Sequence, residues 1–154
     1  MKPGLGTQLR YLIELLDGAV EQSYMNAGLD YRPRYTPVMR VLAEQSSATI
    51  GELASLGGLT QPAATQTVAV MVKQGLLKVS VGGEDGRQRV VRLSAAGEAM
   101  LPQLRVCWQA TKLAADSLDA ELAMPLSRCL SEAIAVLEKR SFAERIRHAK
   151  SSDQ

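Results

Sequence analysis

Apolar residues near the start of the chain recur as Leu9, Leu12, Ile13, Leu16 and Val20, a spacing that gathers them on one face of a helix. This predicts a long amphipathic helix from Thr7 to about Ala27, stopped by Gly28. The segment Asp30-Tyr31-Arg32-Pro33-Arg34 reads as a short linker, because Pro33 excludes regular helix at Arg32. Thr36-Pro37 reads as an N-cap followed by proline at the first helical position, opening a helix with Val38, Val41 and Leu42 inside. Thr49-Ile50-Gly51-Glu52 fits a capping box at the head of a short helix carrying Ile50, Leu53 and Ala54, and Gly57-Gly58 ends it. Leu59 is an apolar plug and Thr60 a second N-cap, with Pro62 in the first turn. The helix that follows runs to Gln74, with Ala64, Val68 and Met71 inward and Gly75 beyond its end.

After Gly75 the period changes to alternation. Leu77, Val79 and Val81 lead into Gly82-Gly83-Glu84-Asp85-Gly86, and Val91 and Leu93 return, predicting a two-stranded hairpin with a charged tip. A helix then starts near Ser94 and carries Met100, Leu104, Cys107, Trp108 and Leu113 to about Leu118; Pro102 fits it only in or near the first turns, or at a bend. The last helix carries Leu126, Leu130, Ala133, Ile134 and Leu137, with Pro125 at its first position. The polar end around His148 is expected to be loose. Two short helices joined by a tight glycine turn and followed by a hairpin make a winged helix-turn-helix, so the fold class is mainly α with a small β wing.

Composition adds exclusions. At 154 residues, 46% hydrophobic and 22% charged, the sequence is that of a globular protein about one domain long. No apolar run approaches the roughly 20 residues of a membrane span, and no apolar leader follows Met-Lys-Pro-Gly, so a cytoplasmic protein with no membrane partner is expected. Cys107 and Cys129 are too few for a disulfide framework and match no short metal-ligand spacing; both are expected to be buried thiols. With a single histidine and no shared cluster of His, Cys or carboxylates, no catalytic residue, metal or cofactor is expected.

Net charge is only +2, but its location changes the picture. Residues 60–93 carry Lys73, Lys78, Arg87, Arg89 and Arg92 against Glu84 and Asp85, a net of +3, which leaves the remainder at −1. An excess confined to the helix-turn-helix and wing is the footprint of a polyanion contact, with double-stranded DNA the expected partner. On the recognition helix, Thr60, Gln61, Pro62, Ala63, Thr65 and Gln66 lie toward the end that such motifs present to base edges. Glutamine pairs with adenine and a Thr or Ala methyl touches the thymine methyl, so an adenine/thymine-leaning site is expected. Thr65 and Gln66 also read as solvated helix surface. Arg87 and Arg89 stand at the wing tip, with Asp85 near enough in sequence to hold the Arg87 guanidinium. Lys73, Lys78, Arg89 and Arg92 read either as phosphate contacts or as solvated charges.

Gly75-Leu76-Leu77, Asp85-Gly86-Arg87 and Val91-Arg92-Leu93-Ser94-Ala95-Ala96-Gly97 resemble the wing of the MarR family of bacterial transcriptional regulators, whose pattern is Gly-Leu-Val, Asp-x-Arg and Leu-Thr-x-x-Gly. Tyr35-Thr36-Pro37-Val38-Met39-Arg40-Val41-Leu42 looks like that family's second helix, and the resemblance spans roughly residues 7 to 142. One departure is Val79, where the family often has arginine. The resemblance implies a homodimer in which the first and last two helices interlock, presenting two winged domains to a palindromic operator. It divides the chain into a dimerisation helix and linker (1–34), the winged domain (35–97), C-terminal dimerisation helices (98–145) and a flexible tail (146–154). It makes Arg87 the minor-groove residue and Asp85 its orienting partner. It further implies a repressor released by a small, often aromatic and anionic effector, for which Tyr31, Arg34, Tyr35, Met39 and Trp108 are candidate lining residues; these also read as core and packing residues. Oxidant sensors of the family commonly carry a reactive cysteine near the first helix, which here has none. The rival reading is a winged-helix dimer acting as a protein-interaction module without a specific operator.

Overall fold

A computed structural model describes residues 1–82 and 86–153, in two compact units, Met1–Trp108 and Gln109–Gln154. The first unit opens with α1 (Leu5–Asn26), whose C-terminal cap leads into Gly28 at φ 74°, a left-handed conformation that glycine adopts without strain. A 3-10 turn (Pro33–Tyr35) passes directly into α2 (Thr36–Glu44). Here the expected cap is corrected: the N-cap is Tyr35, and Thr36 is already helical. Its hydroxyl instead lies 3.1 Å from the Tyr31 hydroxyl and 3.4 Å from that of Tyr24, satisfying buried phenols rather than backbone amides.

The capping box forms as expected at α3 (Ile50–Gly57). The Thr49 hydroxyl accepts from the Glu52 amide at 3.2 Å, and the Glu52 carboxylate accepts from the Thr49 amide at 3.3 Å. Gly58, at φ 68°, makes the turn, and α4 (Gln61–Lys73) follows. The strands β2 (Leu77–Val81) and β3 (Arg89–Leu93) pair antiparallel, with Leu77 opposite Leu93 and Val79 opposite Val91. The sheet has a third strand, β1 (Ala48–Thr49), which pairs with Val90 and Val91 and gives the order β1-β3-β2. The alternation in β2 is real but only Leu77 is buried; Val79 and Val81 extend past the core and are exposed. Tyr24, Tyr35, Val38, Met39, Leu53, Met71, Val91 and Leu104 are among the buried side chains that hold α1, α2, α3, α4 and the sheet together.

α5 (Ala95–Glu121) starts at Ser94, whose hydroxyl accepts from the Gly97 amide at 3.1 Å and donates to the Gly75 carbonyl. Pro102 lies in its third turn, inside a continuous helix, where it contributes no amide to the ladder. Cys107 is buried and Cys129 only half-buried, and no disulfide joins them.

In the second unit, α6 (Leu126–Lys139) has Pro125 at its N-cap, one position earlier than expected. Asp119 anchors that end: its carboxylate accepts from both the Ser127 amide and the Ser127 hydroxyl, which holds the carboxyl below the usual range. The expected loose end is corrected too. Residues Phe142–Ser152 form α7, capped by the Ser141 hydroxyl on the Glu144 amide at 3.2 Å.

Candidate nucleic-acid interface

α4 is positioned by its own caps and by one buried face. Thr60 accepts from the Ala63 amide at 3.3 Å, and Leu59, half-buried against the core, returns its amide to the Ala54 carbonyl at 2.9 Å. Ala64, Thr67, Val68 and Met71 point inward. The outward face therefore carries Gln61, Pro62, Thr65 and Gln66, all exposed, with Thr60 at the cap; Ala63 is half-buried. The face continues through exposed Ala69 and Val72, which the sequence reading left out although they follow Thr65 and Gln66 at helical spacing.

Hairpin register divides the expected cations. Lys78 lies directly opposite Arg92, so these two share one face of the sheet. Arg89 lies opposite Val81, on the other face. Two like charges side by side on a sheet repel one another, and an anion between them relieves the cost. Lys73 ends α4, and Arg87 is exposed beyond β3 at the wing. Lys73, Lys78, Arg87, Arg89 and Arg92 make no ion pair with another described residue, which leaves five guanidinium and ammonium groups available to phosphates. Asp85, expected beside Arg87, lies outside the described residues.

The five candidate effector residues are only partly brought together. Tyr31, Tyr35 and Met39 are buried in the core, with the Tyr24, Tyr31 and Tyr35 rings edge-to-face at 4.7 and 5.5 Å. Burial pushes the Tyr31 phenol well above its ordinary range. Trp108 is half-buried, with the Arg40 guanidinium 5.5 Å from its ring centroid and its indole nitrogen buried without a well-formed hydrogen bond among the described residues. Only Arg34 and Tyr35 line an open groove of about 540 Å³, together with Asp17, Glu21, Arg32 and Gln74. Among the described residues no cluster of His, Cys, Asp and Glu could hold a metal, and no helix is long and apolar enough to cross a membrane.

Residues 28–88 match the MarR family. No curated protein matches the chain by sequence. Among solved structures, the chain is similar to the M. tuberculosis transcriptional regulator MOSR in complex with DNA, at 23% identity and TM-score 0.66, covering 92% of this chain and 98% of that one. It is similar to a MarR family transcriptional regulator from Silicibacter pomeroyi at 25% identity and TM-score 0.60, covering 86% and 94%. It is also similar to Bordetella bronchiseptica BpsR, whose DNA binding is regulated by 6-hydroxynicotinic acid, at 18% identity and TM-score 0.62, covering 90% and 94%. Residues 28–88 thus resemble the MarR family, and the chain shares the fold of solved MarR family regulators.

Proposed function

We propose that this protein is a transcriptional regulator, a repressor, that binds a palindromic operator as a homodimer and lets go when a small effector binds. The observation that carries the proposal is the open outer face of α4 standing beside a wing whose cations have no ion-pair partner among the described residues. In such a motif the recognition helix enters the major groove, while phosphate contacts fix its register. Arg87 enters the minor groove from the wing; Lys73, Lys78, Arg89 and Arg92 neutralise phosphates.

Exposed apolar side chains support the dimer. Leu9, Ile13 and Leu16 on α1 and Leu130, Ile134 and Leu137 on α6 are each about 40% exposed or more, and a second copy of the chain covers both stripes. Effector control follows if the ligand prefers a dimer whose recognition helices do not match the operator spacing. The groove at Arg34, between α1 and the C-terminal turns of α4, offers a guanidinium to an anionic aromatic effector; DNA binding regulated by 6-hydroxynicotinic acid in BpsR supports that chemistry.

Anisotropy with the duplex lying upstream of the protein's own gene, over a salt series, tests the proposal. Tight binding with a steep salt slope is expected, weakened by Arg87→Ala by about 1–3 kcal/mol and shifted in sequence preference by Gln61→Ala. Affinity no better than for random duplex, there and in selection from a random pool, refutes it.

A further inference from the structure

If the outer face of α4 meets a major groove, its chemistry restricts what it reads there. From Gln61 to Val72 the helix has no ionisable side chain. Guanine is read by Arg or Lys at O6 and N7, and cytosine by an acid at N4, so the side chains that favour a G·C pair are missing from this face. What the face offers instead is methyl groups and the amides of Gln61 and Gln66. The Thr65 hydroxyl donates to the Gln61 carbonyl at 3.0 Å, so its hydrogen is held by the helix and the exposed side chain offers no donor, only its methyl and an acceptor oxygen. Ala69, one turn further, is exposed and presents only a methyl. Gln66, exposed between them, makes no hydrogen bond to another described residue. Four residues of helix rise about 6 Å, close to two base-pair steps of about 3.4 Å.

We infer that Thr65 and Ala69 read the C5-methyl groups of thymines two base-pair steps apart, with the Gln66 amide on an adenine edge. The inference rests on the DNA-binding reading and adds to it the class of base and the groups that recognise it. Orientation does not come from the outer face of α4. The cations placed to grip the backbone lie at the last turn of α4, at Lys73, and on the hairpin, at Lys78 and Arg92, so base reading and phosphate holding fall to different parts of the winged domain.

Replacing thymine by deoxyuridine removes the methyl and nothing else. The full-length protein is used to select duplexes from a random pool, and each thymine of the selected core is then changed to deoxyuridine singly. An A·T-rich core is expected, with affinity falling about three- to fivefold at two or more thymines, the effect of one buried methyl each. Thr65→Ser keeps the hydroxyl and its bond to the helix but loses the methyl. It is expected to retain the wild-type Tm and to lose the deoxyuridine sensitivity at one of those thymines. A G·C core, an affinity indifferent to deoxyuridine throughout, or a Thr65→Ser variant with undiminished sensitivity at every position overturns the inference while leaving a DNA-binding regulator in place. A pool that yields no enriched duplex overturns both.

Discussion

The Thr36 hydroxyl sits between two buried phenols and ties the end of α1 to the start of α2. Thr36→Val keeps the shape and removes the partner of both, so urea unfolding is expected to show a loss of about 1–3 kcal/mol with the m-value unchanged. The Tyr31 phenol carries a pH consequence. Burial holds it protonated in the folded protein beyond the ordinary value of 10.0, so its contribution is fully present below pH 10 and is lost as pH rises further, when the unfolded chain ionises first. Tyr31→Phe is therefore expected to flatten the alkaline decline of stability, read by denaturant titration at successive pH values. Asp119 acts in the opposite direction. Its lowered carboxyl favours the folded join between α5 and α6 above pH 3.8, and that preference fades as pH falls.

At the scale of elements, the join between α4, β2 and α5 is held by backbone contacts that only small residues allow. The Ser94 amide donates to the Leu76 carbonyl at 2.9 Å, and a side chain at buried Gly97 would press on that same carbonyl oxygen. Gly97→Ala is expected to cost about 1–3 kcal/mol by overpacking, seen as a lower Tm, whereas Ala96→Gly next to it acts only through helix propensity, at about 1 kcal/mol or less. This join explains physically why Leu93-Ser94-Ala95-Ala96-Gly97 was legible in the sequence: cap and glycine are fixed by local chemistry. The Thr49 and Glu52 box and the glycines at 28, 58 and 75 were legible for the same reason. β1 was not, because two residues carry no period and their pairing partners, Val90 and Val91, lie far along the chain. Nor was α7, a polar segment whose helix rests on the Ser141 cap and on hydroxyl bonds from Ser151 and Ser152 to carbonyls four residues back. For the candidate interface, helical spacing located the outer face of α4, but separating Arg89 from Lys78 and Arg92 needed the strand register.

At the scale of the whole molecule, the exposed stripes on α1 and α6 set the expected assembly. Ile13 and Ile134, 55% and 57% exposed, take a charge without disturbing any core contact. Ile134→Glu and Ile13→Glu are expected to give monomers by sedimentation while the winged core keeps its circular dichroism, and to lower operator affinity by a factor of at least ten, because two linked half-site contacts become independent. Persistence of the dimer in both variants would place the interface elsewhere. The face of α4 carries a further consequence, one for descent. Gln61 and Gln66 are exposed and support nothing in the core, and each glutamine codon is a single nucleotide from one for lysine or arginine. A copy of the gene can thus acquire a guanine-reading side chain without passing through an unfolded intermediate, and operators can diverge between duplicates faster than the scaffold that presents them.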